Sequence, residues 1–255
     1  MSTSQPKVLF FDLENIQHMD HVFHPGNVAR KRAAGFCSDL AYILVFGYKW
    51  LGEPAKYIVP DEEQFKRIPH NIKEIDRSLV QQAVDIMMTA DVVVTWYGSA
   101  HDYKFLTGRA AAHNINLPQN IPHIDLYKVA SKQLSLSSNR LDNVAKLFGC
   151  ELKTKISHSL WPMCWMGDKQ SLTEMAEYCA QDCNVLEQVY LKLRPLIKNH
   201  PHMGALADGN RSSCPNCGST SYHANGTYAT TSGLLYQRLR CNKCQASFKG
   251  WRVNK

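Results

Sequence analysis

Two carboxylate side chains follow one of the most apolar runs of the chain. The segment VLFFDLEN, residues 8–15, carries Asp12 and Glu14 with Leu13 between them. Alternate side chains of a strand share a face, so both acids point one way and Leu13 points the other. Neighbouring carboxylates repel each other unless a cation separates them, and their oxygens suit Mg²⁺ or Mn²⁺. The pair predicts part of a divalent-metal site.

Two more acids could complete such a site. Asp102 follows the apolar run DVVVTW, at the predicted start of a helix, and Asp182 lies in the helical segment EYCAQDC with Tyr178 four residues earlier. Residues four apart share a helix face, so the tyrosine hydroxyl and the carboxylate project together. An ordered set of four acids is far more specific than any one of its members.

Four of the nine cysteines have metal-ligand spacing. CPNC and CNKC, separated by 23 residues, supply Cys214, Cys217, Cys241 and Cys244. Two such knuckles complete a tetrahedral four-thiolate site, which predicts one structural Zn²⁺ in a zinc ribbon. An odd count without an export signal argues for reduced thiols. The others are expected to be small buried apolar residues: Cys37, Cys150, Cys164, Cys179 and Cys183.

The acidic motifs carry a family resemblance. FDLEN, GSAHDYKFL and Tyr178-x-x-x-Asp182, in this order, resemble the three exonuclease motifs of the DEDD superfamily, which has the ribonuclease H-like fold. With Tyr178, the third motif resembles that of the DEDDy branch. The DEDDh branch instead has histidine at the position of Glu177. Residues 123–149 are similar to the segment between the second and third motifs in family B DNA polymerases and stand-alone relatives, including phage-encoded ones. The resemblance spans residues 7–197.

The resemblance implies a metal-dependent 3′–5′ exonuclease with two Mg²⁺ or Mn²⁺ ions. Asp12, Glu14 and Asp182 would hold the first ion, and Asp12 with Asp102 the second. Tyr178 would orient the attacking water, and nucleoside 5′-monophosphates would leave the 3′ end of single-stranded DNA.

Three residues beside the motifs depart from the family pattern. Asn15, Tyr97 and His101 stand where relatives usually have Thr, Asn and Phe. These positions contact substrate in relatives, so the preferred strand stays open. One alternative is an exoribonuclease with the same core, because two-metal chemistry does not require a 2′-hydroxyl. Another is a zinc-ribbon nucleic-acid-binding protein with an inactive nuclease core.

The elements around these residues predict an α/β fold, a ribonuclease H-like mixed five-stranded sheet flanked by helices. A three-stranded meander precedes alternating helices and strands. The predicted strands are 7–12, 40–48, 55–60, 91–96 and 123–128, and the predicted helices are 76–90, 102–113, 139–148 and 171–194.

Helix ends can also be predicted. Asp76 stands near a plausible cap, Gly149 closes the fourth helical segment, and Ser171 with Glu174 forms a capping box before the helix that carries Asp182. Asp125 and Asp142 lie in the segment similar to polymerases and are expected to support or cap neighbouring elements.

The chain divides by composition into a nuclease domain over 1–197, a linker over 198–213 rich in Pro, Gly and Asn, and a zinc ribbon over 214–255. Seven of the 29 Lys and Arg residues, and none of the 22 acids, fall in residues 211–255. The formal net charge of +7 therefore lies in the tail, which predicts a polyanionic partner.

The ribbon interleaves cations with aromatic residues, a pattern that suits single-stranded nucleic acid. Alternatively, the aromatic residues form a small core, or the ribbon docks a protein. The candidate nucleic-acid contacts are Arg238, Arg240, Lys243, Phe248, Lys249, Trp251 and Arg252.

No apolar run approaches the length of a membrane span, and the start lacks a secretory signal pattern. We therefore expect an intracellular, cytoplasmic protein, with a phage origin consistent with the resemblance. Its expected partners are single-stranded DNA with a free 3′ end and a protein of replication or recombination.

Overall fold

The computed structural model describes residues 5–16, 42–61, 74–118, 120–152, 156–157 and 159–253. Its larger sheet has five strands in the order β3-β2-β1-β4-β5, namely β1 Val8–Ile16, β2 Tyr42–Trp50, β3 Lys56–Ile58, β4 Val92–Thr95 and β5 His123–Asp125. The first three strands form an antiparallel meander, and β4 and β5 run parallel to β1. The predicted mixed sheet is confirmed.

Helices cover both faces of this sheet because its strands bury side chains on both sides. Leu9, Phe11 and Leu13 of β1 pack with two helices, while Val8 and Phe10 pack with others on the opposite face. The helices are α1 Arg77–Met88, α2 Asp102–Ala112, α3 Leu126–Gln133, α4 Leu141–Phe148, α5 Leu160–Trp165 and α6 Lys169–Leu193, the last followed by a 3₁₀ turn over Arg194–Leu196. None of the described helices is long and apolar enough to cross a membrane.

Asp76 occupies the N-cap position of α1, yet its side chain makes no capping hydrogen bond. The fully buried carboxylate accepts hydrogen bonds from the Ile43 backbone N–H at 2.8 Å and from Arg109 Nε and Nη2 at 2.8 and 2.6 Å. His113 Nε2 lies 2.7 Å from the same group. Asp76 therefore joins β2, α1 and α2 through a buried network, which outweighs the predicted capping role.

Two other predicted boundaries need correction. Helix α6 is capped by Asp168, whose side chain accepts from the Ser171 backbone N–H at 2.8 Å, so Ser171 lies inside the helix and the predicted capping box is wrong. The strand predicted over 123–128 ends at Asp125, because that residue caps α3 by accepting from Tyr127 N. Gly149 ends α4 in the left-handed region at φ 64°, as predicted.

Residues 198–213, predicted as a linker, contain a helix, α7 Met203–Asp208. The second sheet follows in the order β6-β7-β8, with β6 Tyr222–Ala229, β7 Leu235–Cys241 and β8 Ser247–Arg252. This module contacts the first domain directly. Asn216, between two cysteines, donates to the carbonyl oxygen of Arg194 at 2.6 Å and to that of Ile197 at 3.5 Å.

Candidate active site

Strand β1 presents Asp12 and Glu14 on the face of the sheet that α6 covers. Leu13 packs into the cluster on the opposite face, so the predicted alternation holds at this position. In the antiparallel register Asp12 pairs with Gly47, Glu14 with Val45 and Asn15 with Ile43, so the register shift leaves Leu44 of β2 as the extra residue of a β-bulge. The bulge bends β2 opposite the acidic end of β1.

Helix α6 brings the third carboxylate to this strand end. One carboxylate oxygen from each of Asp12, Glu14 and Asp182 lies within 4.8 Å of the others. Asp182 is buried, and the other two acids are half-buried. Three partly desolvated carboxylates repel each other, and a divalent cation removes that repulsion. A purely carboxylate donor set suits hard ions such as Mg²⁺ or Mn²⁺ rather than thiol-preferring metals, so these residues fit the expected ion.

Asp102 is not among the acids whose oxygens all lie within 4.8 Å of one another. It is the first residue of α2 and is largely buried, and its Oδ1 lies 3.1 Å from His101 Nδ1. That hydrogen bond, aided by the charges of Asp102 and Glu14, raises the pKa of His101, while burial opposes the rise. The predicted four-acid set is therefore observed as three clustered carboxylates and a fourth electrostatic neighbour.

The turn before Asp102 is held by a residue that the sequence indicates only as a supporting acid. Asp125 accepts from the backbone N–H of Tyr97 at 3.0 Å and from that of Ser99 at 3.2 Å. Tyr97 adopts φ 65°, a costly value for a non-glycine residue, and its carbonyl oxygen accepts from the His101 backbone N–H. Asp142, by contrast, forms an exposed ion pair with Lys146 at 2.6 Å.

Tyr178 is half-buried and faces a groove of about 1010 Å³. The ring of Tyr97 meets that of Tyr127 edge-on at 4.7 Å, and Tyr97 is 47% exposed. Arg140 and Lys146 add positive charge to the wall. The aromatic lining residues are Trp96, Tyr97, Tyr127, Trp161 and Tyr178. Trp161 is partly buried in an apolar cluster and also lines this groove.

The four cysteines of the ribbon form a second cluster. Their sulfur atoms lie within 4.8 Å of one another, and the Cys214–Cys244 and Cys217–Cys241 sulfur pairs are each 3.6 Å apart. A tetrahedral Zn²⁺ with bonds of about 2.3 Å places its sulfurs about 3.8 Å apart, so these thiols fit zinc. Hydrogen bonds from Cys214 and Cys244 lower the pKa of Cys217.

The candidate nucleic-acid residues of the ribbon differ in their surroundings. Lys249 Nζ lies 3.6 Å from the centre of the Tyr236 ring, and Arg238 Nε donates to the Asn225 carbonyl oxygen at 2.6 Å. Phe248 packs against the cysteine cluster, whereas Trp251 is 60% exposed. Arg240, Lys243 and Arg252 are exposed.

Two residues at the acidic site are missed by sequence reasoning. Gly47 contacts Cys179 where α6 crosses β2, beside Asp12. A glycine inside an apolar strand is itself a signal of close backbone approach. Cys179, Cys164 and Cys183 are buried as predicted, Cys150 is half-buried, and Cys37 lies outside the described residues.

Comparisons with known proteins agree with this architecture. The chain is 27% identical over 157 residues to a DNA polymerase of Methanocaldococcus jannaschii, a match that covers 52% of this chain and 9% of that protein. A family B DNA polymerase structure from Pyrobaculum calidifontis matches with a TM-score of 0.56 and 15% identity, over 92% of this chain and 32% of that one. The chain thus spans well under two thirds of either relative, and the structural likeness concerns the fold.

The family model described as the RNase_H superfamily matches residues 38–194, a range that contains Asp102, Tyr178 and Asp182. It begins after β1 and ends before the ribbon. The match covers more than half of the chain, and the mixed sheet and its flanking helices have the ribonuclease H-like arrangement predicted. The chain therefore belongs to the RNase_H superfamily.

Proposed function

We propose that this protein is a metal-dependent 3′–5′ exonuclease of the DEDDy type that degrades single-stranded DNA to nucleoside 5′-monophosphates. The observation that carries the proposal is the cluster of Asp12, Glu14 and Asp182, with Tyr178 on the same helix as Asp182 and beside an aromatic groove. The likeness to DNA polymerases supports DNA as the substrate. The proposed domains are 1–197 for hydrolysis and 214–255 for zinc and nucleic-acid binding, joined through 198–213.

Asp12, Glu14 and Asp182 would hold one Mg²⁺ or Mn²⁺ ion, and Asp12 with Asp102 a second. Divalent cations, when bound, supply the positive charge that activates water and stabilises a leaving 3′ oxygen. The hydroxyl of Tyr178 would orient the attacking water. His101 donates to Asp102 when protonated and so keeps that carboxylate in place.

The groove suits a single strand because its walls combine aromatic faces with cations. Unpaired bases stack on aromatic side chains without sequence preference, while Arg140 would balance phosphate charge; Lys146 on the same wall is paired with Asp142. The exposed cations and Trp251 of the ribbon would extend this surface to more distant nucleotides.

The direct test uses 5′-labelled single-stranded DNA and RNA of one sequence, with Mg²⁺ or Mn²⁺ or with EDTA, beside a closed circular DNA strand. We expect a one-nucleotide ladder from linear DNA only, lost with EDTA and in Asp12→Asn. Asp85→Asn, an exposed acid on α1 at the other face of the sheet, is the matched control and should keep the ladder. A ladder on RNA alone would indicate an exoribonuclease. Binding without cleavage would indicate an inactive nuclease core.

The role of the ribbon is tested separately with Arg252→Gln and Trp251→Ala. If the ribbon grips the strand, both variants should raise KM for long strands and leave cleavage of a trinucleotide unchanged. Loss of one phosphate contact should reduce the salt dependence of binding by about 0.7 in log–log slope. Unchanged affinity for long strands in both variants would contradict a role of the ribbon in nucleic-acid binding.

A further inference from the structure

Gly47 allows helix α6 to approach β2 unusually closely. A Cβ atom built at this position would lie 2.7 Å from Cys179 Sγ and 2.8 Å from the Cys179 carbonyl oxygen. Real Cβ atoms essentially never come within 3.0 Å of such neighbouring atoms, so a side chain here would require Cys179, the backbone of α6 or that of β2 to shift. Gly47 pairs directly with Asp12, which places this contact beside the carboxylate cluster.

Cys179 occupies the space that Gly47 leaves. Its thiol donates to the Asp12 backbone carbonyl oxygen at 3.4 Å, and its sulfur lies 3.9 Å from Asp12 Oδ2. The Cys179 side chain therefore packs and hydrogen-bonds directly against the strand that carries Asp12.

The contact also fixes the two functional residues of α6. Cys179 follows Tyr178 directly and stands three residues before Asp182, on adjoining parts of one helix surface. A shift of α6 away from β2 would carry Asp182 away from Asp12 and Glu14. The closeness of the Cys179–Gly47 contact would therefore affect the distance of Asp182 from Asp12 and Glu14.

We propose that Gly47 and Cys179 are a positioning pair that holds Asp12 and Asp182 at metal-binding distance. The inference rests on the proposed function because it concerns the same carboxylates. Groups that orient metal ligands change metal affinity or activity by about 10- to 100-fold when altered. Simple core packing would instead lower stability and leave metal affinity intact.

The test measures Mn²⁺ binding to the zinc-loaded full chain by electron paramagnetic resonance, and kcat and KM beside it. We expect Gly47→Ala and Cys179→Ala each to weaken Mn²⁺ binding about tenfold or more, with kcat falling more than KM rises. Cys179→Ser keeps a donor of similar size and should bind Mn²⁺ within about threefold of wild type. Gly108→Ala is the matched control, since a Cβ there meets nothing within 4 Å.

Cys179→Ala and Cys179→Ser carry the test should Gly47→Ala fail to fold. Equal Mn²⁺ affinity in Cys179→Ala and wild type would overturn the proposal, as would a folded Gly47→Ala with wild-type affinity. If Mn²⁺ binding responds as expected but the wild type degrades no nucleic acid, the positioning pair stands and the proposed function falls.

Discussion

The two candidate metal sites of this chain are built in opposite ways. The carboxylate site collects Asp12, Glu14 and Asp182 from a strand and a helix far apart in the sequence, and three large apolar clusters support those elements. The thiolate site draws on two short turns of a module whose buried cluster consists of Cys214, Cys241, Cys244 and Ala246. We therefore expect the folded sheet and helices to form the first site without metal, and a bound metal ion to stabilise the fold around the second.

Of the changes that test this comparison, removal of zinc should have the largest effect on folding. Structural zinc contributes about 10–16 kcal/mol in small zinc modules. We expect a thiol-reactive zinc displacer or Cys241→Ser to unfold residues 214–253, seen as loss of their amide dispersion in NMR spectra. The sheet that carries Asp12 should stay folded. Removal of Mg²⁺ should leave both regions folded.

Cys150→Ser is the matched control, because Cys150 is half-buried and lies outside the cysteine cluster. It should retain one zinc per chain. A ribbon that keeps its dispersion after complete zinc loss would contradict the comparison.

A smaller effect, confined to the nuclease core, is expected from Arg109→Met. This change leaves the Asp76 carboxylate buried without its bidentate partner, which typically costs about 3–5 kcal/mol of unfolding free energy. Because α2 begins at Asp102, the loss should also reduce the proposed exonuclease activity. Urea unfolding followed by tryptophan fluorescence measures the change.

The exposed pair of Lys146 and Asp142 offers the control. Lys146→Met should change stability by less than about 1 kcal/mol. Zinc content should stay the same in both variants. A similar loss of unfolding free energy in the two would contradict the expected contribution of the buried Asp76–Arg109 network.

The smallest predicted effect is at the junction of the two regions. His200 is buried, its Nε2 lies 2.9 Å from the hydroxyl of Tyr190, and burial lowers its pKa below 6.5. The unfolded chain therefore takes up a proton at a pH where the folded protein does not. This contribution to stability is complete above about pH 6.5 and is lost as the pH falls through the folded-state pKa.

Thermal midpoints between pH 7.5 and 5 test this sign. His200→Gln should flatten the decline toward low pH, whereas His223→Gln, exposed on β6, should keep it. If the thermal midpoint declines equally steeply with falling pH in wild type and in His200→Gln, protonation of His200 is not the cause of the decline.

The sequence predicts most of this architecture because apolar periodicity follows from burial. The five strands and the helices that carry Asp102 and Asp182 lie where alternation and helical spacing place them, within a few residues. The spacing of the two C-x-x-C motifs also predicts the cysteine cluster, because the two cysteines of each motif are only three positions apart.

Contacts between distant residues explain what the sequence does not predict. Asp76 and Asp125 are both acids near helix starts. Only the folded chain shows that Asp76 accepts hydrogen bonds from Arg109, whereas Asp125 accepts one from the Tyr97 backbone N–H. Asp168 and Ser171 are both suitable helix caps, and only the folded chain shows that Asp168 caps the helix and accepts from the Ser171 backbone N–H.

Asn216 gives the ribbon a consequence for protein engineering. Its amide satisfies carbonyl oxygens after α6, and the Met203 backbone N–H donates to Pro215 at 2.8 Å. A gene fragment that stops at residue 197 would expose these acceptors to solvent and strip apolar cover from the end of the longest helix. The ribbon is thus a poor cassette for domain swapping, and chimaeras should keep residues 194–217 from one parent.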